Sequence, residues 1–341
     1  VHRDILDADG RTVTVDLDAV AGPRVRHLGE AQVQPVLRAL EHEGSLVNGE
    51  MRPGGVGREW CHVDVLRRLR RRSLAVQRQA VEPVDSETYT RFLVDWHGLS
   101  SNRGGSQRLQ EVIAQIEGRP LPFSALEKEL LPARVSGFAP RMLDELGAMG
   151  LIVWVGRGAL GGKDGHVALY RRDRVPLLVD APVPMEDPEP LHTAILEHLE
   201  QRGASFYIGL SMALGSPDDR DLTQALWDLV WAGLVTNDTF LPLRSLSKRA
   251  RRGQSQAAAG GRWSLVEELR GTPPSPTVRA HARVNQLLER YGVVSREAAQ
   301  AESLQGGFSS IYPVLRAMED AGKVRRGWFV DGLSGAQFAQ P

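Results

Sequence analysis

The chain has 341 residues, 42 basic and 42 acidic side chains for a net charge of zero, 42% hydrophobic and 6% aromatic residues, and one cysteine, Cys61. That length supports two or three ordinary domains or several small ones, and the scarcity of aromatics argues against one thick aromatic core. Neutrality leaves only the distribution of charge to argue for a nucleic-acid partner. A lone cysteine excludes a disulfide framework and suits a reducing cytoplasm. The longest apolar run, Leu151 to Val155, is far too short for a bilayer, no signal-peptide pattern opens the chain, and Val1 in place of Met marks it as a fragment.

Residues 1–80 open with a weak strand, Arg11 to Val20, and no clear helices. They then carry a phrase that recurs along the chain: apolar, two residues, apolar, three residues, Gly, one residue, apolar. Here it is Leu37, Leu40, Gly44, Leu46. Apolar residues three apart share one helix face, a left-handed Gly ends that helix, and the next apolar residue starts a strand. Directly after it, Asp64 to Ser73 is an arginine-rich helix, with Val65, Leu66, Leu69 and, farther on, Leu74 as its apolar stripe. Arg67, Arg68, Arg70, Arg71 and Arg72 fill the other faces. Guanidinium groups bind phosphates bidentately, so this face suits a nucleic-acid backbone; it equally suits a solvated helix paired with acidic neighbours.

The phrase returns as Leu143, Leu146, Gly150, Ile152, then as Leu226, Leu229, Gly233, Val235, and as Leu315, Met318, Gly322, Val324. Its glycines lie 106, 83 and 89 residues apart. Helical patterns precede each later copy and a strand-like segment follows, which in the second copy turns through Gly156 to Gly165 into a hairpin. Helix, helix, helix, hairpin is the winged-helix plan. The expected fold is mainly α with small β-hairpin wings: tandem winged-helix modules joined by linkers. A partial module covers 1–80, and full modules cover 86–175, 191–246 and 277–341. The spacer 176–190 is rich in proline, and 247–276 is a basic Gly/Ser/Pro linker. The wider stretch Arg244 to Arg262 holds six basic residues, Arg244, Lys248, Arg249, Arg251, Arg252 and Arg262, and no acidic one.

Chemistry is sparse. The nearest approach to a phosphate-cradling nucleotide loop is Gly161-Gly162-Lys163-Asp164, which lacks the leading Gly and the hydroxyl, so no ATPase is expected. His192 and His198 lie six apart and miss the one-turn spacing of a zinc helix; Cys61-His62 has no further cysteines. No nucleophile elbow occurs. Asp64, Asp144 and Asp331 could each be a lone base, and are equally surface acids, so no catalytic residue is assigned. Arg38, Arg141 and Arg316 on third helices are candidates for DNA contact. Arg157, Lys163, Arg325 and Arg326 on wings are candidates for its sugar-phosphate edge. Trp227 and Trp231, four apart, read as packing or interface.

Several phrases together resemble the large helicase-related protein (Lhr) family, in the region after its helicase core. They are Arg52 to Cys61, Leu131 to Val135, Gly158 to Tyr170, Gly261 to Leu265 and Arg326 to Ala339, in family order across residues 52–339. The resemblance implies a bacterial, cytoplasmic, nucleoid-associated protein in DNA repair. Its absent ATP- and Mg-dependent 3′–5′ helicase motor would sit in the same chain. The part at hand would then be a cofactor-free array binding single-stranded or duplex DNA with little sequence preference and assembling a homo-oligomer, expected to be a tetramer, with no membrane partner. The array also resembles AlkZ-type DNA glycosylases, which carry a Gln-x-Gln or Gln-x-Asp motif. Gln32-Val-Gln34 has that shape, in the poorly matched first module, and is read as coincidence. Glycosylase chemistry and, more weakly, a winged-helix transcription regulator are the alternatives.

Overall fold

The computed structural model describes residues 2–6, 12–16, 30–51, 57–79, 81–246, 260–272 and 274–341. They fall into two compact units, 1–82 and 83–341. Residues 247–259 of the basic linker, with Lys248, Arg249, Arg251 and Arg252, lie outside the described residues, as do residues 52–56 of the phrase Arg52 to Cys61.

In the first unit an antiparallel pair, β1 (His2–Leu6) and β2 (Thr12–Asp16), precedes α1 (Glu30–His42). A hairpin of β3 (Leu46–Gly49) and β4 (Glu59–His62) follows, and β4 runs directly into α2 (Val63–Gln79). This is the last helix and wing of a winged helix, with the arginine helix appended. Val65 is buried on α2 and Leu66, Leu69 and Leu74 are half-buried, so the apolar stripe is the inner face.

The second unit begins with α3 (Ser86–Trp96), capped by the Asp85 carboxylate accepting from the Thr88 amide at 2.7 Å. A full module then runs through α4 (Gly105–Ile116), β5 (Leu121–Pro122), α5 (Phe123–Ala125, continuing as a wider turn to Leu130), α6 (Pro140–Ala148), β6 (Ile152–Leu160) and β7 (Asp164–Arg171). After the short α7 (Val175–Leu178) comes another: α8 (Pro190–Arg202), β8 (Ser205–Phe206), α9 (Tyr207–Ala213), α10 (Asp219–Trp231), β9 (Val235–Asn237), α11 (Leu241–Leu246) and β10 (Arg262–Leu265). Following α12 (Val266–Arg270), the last comprises α13 (Pro276–Tyr291), β11 (Val293–Val294), α14 (Arg296–Ala301), α15 (Gly307–Asp320), β12 (Arg325–Gly327) and β13 (Gln337–Ala339). The three sheets repeat one antiparallel order, the short strand after the first helix beside the second wing strand, and that beside the first: β5-β7-β6, β8-β10-β9, β11-β13-β12.

The recurring phrase has one physical cause. Gly44, Gly150, Gly233 and Gly322 all have φ between +66° and +78°, the left-handed region only glycine enters at no cost. After each, the next amide donates back to the carbonyl of the phrase's second apolar residue: Ser45 to Leu40, Leu151 to Leu146, Leu234 to Leu229 and Lys323 to Met318, at 2.8–3.0 Å. These are the six-to-one bonds of a Schellman motif, which satisfies the last carbonyls and turns the chain into the first wing strand.

The modules of the second unit do not hang on linkers as beads. One core runs unbroken from Leu109, Ile113 and Trp154 of the first full module to Ile195, Leu226 and Trp263 of the next. The contact is β6 against α10 and β9. Backbone approaches so closely that a Cβ on Gly156 would collide with the Val230 carbonyl, and one on Gly165 with the Trp231 ring. The Trp154 indole donates to the Thr239 carbonyl at 3.0 Å. Trp227 stacks on Trp231, centroids 5.3 Å apart, and meets Trp263 edge-on at 5.9 Å. This tryptophan pair is packing within the chain. The proline-rich spacer also differs from an extended tether at its start: Val175, Leu178 and Val179 are buried with Val155, Tyr170, Val266 and Ala282.

A polar seam ties the last module to the first full one. The Glu117 carboxylate, fully buried, accepts from the Arg171 amide at 2.6 Å and its guanidinium at 2.7 Å, and Arg171 reaches Glu289 at 3.0 Å. Burial pushes the Glu117 carboxyl up, against the pull of Arg171. Gln286 and Arg290 donate to the Glu117 carbonyl, and the Trp96 indole to the Glu289 carbonyl at 2.9 Å. Val84 pairs with the wing loop of the last module, its amide to the Phe329 carbonyl at 2.9 Å and its carbonyl from the Asp331 amide at 2.8 Å. Beside the seam, burial and the charges of Arg134, Arg290 and Arg108 push His97 down to about 4.

Candidate nucleic-acid interface

A winged helix offers two surfaces to nucleic acid, the outer face of its third helix and its wing. In the module of α8 to β10 the third helix is consumed by packing: Leu222, Ala225, Leu226, Trp227, Leu229 and Val230 of α10 are buried. What remains exposed is acidic, with Asp218, Asp219 and Asp221 around a lone Arg220. Asp228 lies 3.4 Å from His192, and the His192 ring accepts from the Glu189 amide at 3.0 Å, so this histidine caps and pins α8. No cluster of three metal-binding side chains exists among the described residues.

The last module has the opposite character. Ile311, Leu315 and Met318 bury one side of α15, leaving Ser309, Ser310, Pro313 and Arg316 exposed. Arg325 on β12 is exposed, and Arg326 lies with its guanidinium 5.8 Å from the Tyr312 ring centre, one helical turn from Arg316. Tyr312 packs on Phe338, centroids 6.0 Å apart, which fixes the height of that cation above the sheet. Arg316 and Arg325 form no ion pair with a described residue.

The other sequence-derived cations scatter. Arg141 on α6 and Lys163 at the β6–β7 turn are exposed. Arg157 is half-buried, its guanidinium donating to the Tyr170 hydroxyl at 3.2 Å. That places it at the packed root of its wing rather than at a free edge. On α2, Arg67, Arg68, Arg70, Arg71 and Arg72 are exposed, Arg67 pairing with Asp64 at 3.0 Å. The flanks of the basic linker are spoken for. Arg244 is held by Glu127 at 2.6 Å and Asp144 at 2.7 Å, and Arg262 by Asp238 at 2.9 Å. Among the described residues, Gln34 of the Gln-x-Gln segment accepts only from Arg38, at 3.5 Å. Of the lone acids, Asp144 is held by Arg244 and Asp64 pairs with Arg67 at the exposed surface, whereas among the described residues the exposed Asp331 side chain accepts only from the Gly332 amide at 3.0 Å.

Three complete helix-strand-helix-helix-wing units and part of a fourth define a tandem winged-helix protein. Residues 84–172 and 273–341 each match a family described as large helicase-related protein, winged-helix domain. These two segments are winged-helix domains of the large helicase-related type. The chain is 40% identical over 339 residues to the Lhr helicase/probable uracil glycosylase of Mycolicibacterium smegmatis, covering 92% of this chain and 22% of that protein. It is 36% identical over 360 residues to the Lhr helicase/uracil glycosylase of Escherichia coli, covering 92% and 23%. The chain thus spans less than a quarter of the length of these relatives. Among solved structures, the Streptomyces sahachiroi DNA glycosylase AlkZ superposes with a TM-score of 0.46 at 12% identity, over 76% of this chain and 70% of that one. No helix of the described residues is long and apolar enough to cross a membrane.

Proposed function

We propose that the chain is a DNA-binding and assembly region of an Lhr helicase, acting in DNA repair beside a motor, with its ATP and Mg, carried elsewhere in the same protein. The observation that supports it best is the open helix-and-wing face of the last module, where Arg316 and Arg325 are exposed without ion pairs among the described residues. The arginine face of α2 is the second contact. Both are phosphate-type contacts, which favours single-stranded or duplex DNA with little sequence preference. The test is a binding titration over salt: log affinity falls linearly with log salt, at about −0.9 per phosphate neutralised on duplex. An affinity indifferent to salt contradicts the reading.

Assembly into a homo-oligomer, a tetramer as the family resemblance implies, needs an apolar face, and the Trp227–Trp231 pair is taken up by packing inside the chain. Phe206, Ile208 and Met212 around α9 are 61%, 69% and 71% exposed and supply one. Ile208→Asp with Met212→Lys should then dissociate the particle in sedimentation; an unchanged mass contradicts that site.

A second reading, favoured by the names of both relatives, is release of uracil from DNA. A glycosylase flips the base into a pocket and needs a carboxylate or polar group there. Of Asp64, Asp144 and Asp331, the last alone is unclamped, so Asp331→Asn should abolish uracil release while leaving DNA affinity intact.

A further inference from the structure

Trp328 is 54% exposed, although the residues on both sides of it are held fast. Past Arg326 the first wing strand ends at Gly327, and the loop that follows is pinned from inside and from the flank. Inside, the Gln337 side chain, fully buried, accepts from the Phe329 and Val330 amides at 2.9 and 2.8 Å and donates to the Val330 carbonyl at 2.8 Å. On the flank, Val84 bonds to the loop on either side of Val330, itself buried. Farther along, Ser334 donates twice to Glu297, at 2.9 and 2.6 Å. A loop this constrained could bury its tryptophan, as it buries Val330. Instead it presents the indole on a rigid mount, two residues along from Arg326.

We propose that Trp328 is a stacking platform for one unpaired nucleobase, with Arg326, Arg325 and Arg316 taking the neighbouring phosphates. The inference rests on the reading of this face as a DNA contact and refines its substrate to single strands and to single-strand/duplex junctions. Two features select a base over an apolar protein partner. The apolar surround is thin: no other large apolar side chain of this wing is exposed, and Val84 on the flank is exposed by only 39%, whereas a protein hot spot needs a wide apolar surround to exclude water. The charged neighbours on its own strand are cations, which suit the phosphates on either side of a stacked base. Paired bases of a duplex offer no free π-face, so the contribution appears only where a base is unstacked. Because the mount is already rigid, little ordering is lost on binding.

The experiment compares three variants of the full 341-residue chain with the unchanged chain: Trp328→Ala, Trp328→Phe and the pair Arg316→Ala/Arg325→Ala. The probes are a blunt duplex, the same duplex with a single-stranded overhang, and that overhang carrying 2-aminopurine. We expect Trp328→Ala to weaken overhang binding about tenfold, to leave the duplex and the salt slope unchanged, and to abolish the quenching of 2-aminopurine. Trp328→Phe should retain most of both signals. The arginine pair should weaken all probes and lower the slope. If Trp328→Ala binds both DNAs as before while the arginine pair weakens them, the stacking inference falls and the phosphate reading stands. If neither variant changes anything, both fall. Equal weakening on duplex and overhang, with a lowered melting temperature, makes Trp328 structural and overturns the inference. Unaltered DNA binding with loss of an oligomer shows instead that a protein surface covers the indole.

Discussion

Helices α10 and α15 occupy the same place in two copies of one fold, and they are packed in opposite ways. Both end in the same glycine cap and start the same wing. Yet α10 is buried against a neighbouring wing through Gly156 and Gly165 and shows solvent an acidic edge, while α15 keeps its outer face open with Arg316 on it. The fold alone therefore assigns no function to a third helix; what packs on it does. One module acts as mortar, and the other leaves its third helix open to solvent.

The largest effect should come from opening the α10 contact. Gly156→Val places side-chain atoms where the Val230 backbone lies, which cannot rotate away, and should cost about 3 kcal/mol of stability. The two modules of residues 84–265 should lose melting temperature together in one transition, because they share one core. A separate, early transition for residues 190–265 alone would show the contact to be weak.

Next is the seam around His97. Its folded pKa of about 4 lies below the ordinary histidine value of 6.5, so between these the unfolded chain binds a proton that the folded one does not. Stability should thus fall as pH drops from about 6.5 to 4, by at most about 3 kcal/mol, and level off below. His97→Gln should flatten that decline in denaturant titrations; an unchanged pH profile would remove His97 as its source.

Smaller still is the arginine helix. Changing Arg67, Arg70 and Arg71 to Ala should reduce DNA affinity evenly across sequences and lower the salt slope by up to about one for each phosphate left without its arginine. A lowered melting temperature with unchanged slope would instead make α2 a structural face whose guanidinium stems cover apolar surface.

The contrast between α10 and α15 was only partly legible in the sequence. Periodicity and the spaced glycines locate all four helix ends, because a Schellman cap is local chemistry: a handful of adjacent residues decides it. Packing between modules is not local. Glu117 meets partners at 171, 174, 286 and 290, and no spacing rule joins them. A signal did exist for Gly156: a glycine after Val153-Trp154-Val155, inside a strand pattern, marks close backbone approach. It is easily absorbed into the glycine-rich turn that follows. Arg244 misleads for the same reason, since it opens a basic run in sequence and closes a buried ion-pair clamp in space. Net local charge cannot distinguish a guanidinium that grips phosphate from one already gripped by Glu127 and Asp144.

The most direct test sets the two helices side by side on one DNA. Arg316→Glu with Arg325→Glu, and separately Arg220→Glu on the exposed edge of α10, are titrated by anisotropy at low and moderate salt. If α15 and its wing are the contact surface, the first variant loses at least about tenfold in affinity and has a shallower salt slope, while the second binds as the unchanged chain does. Loss of binding on changing Arg220, with none on changing Arg316 and Arg325, would contradict the account.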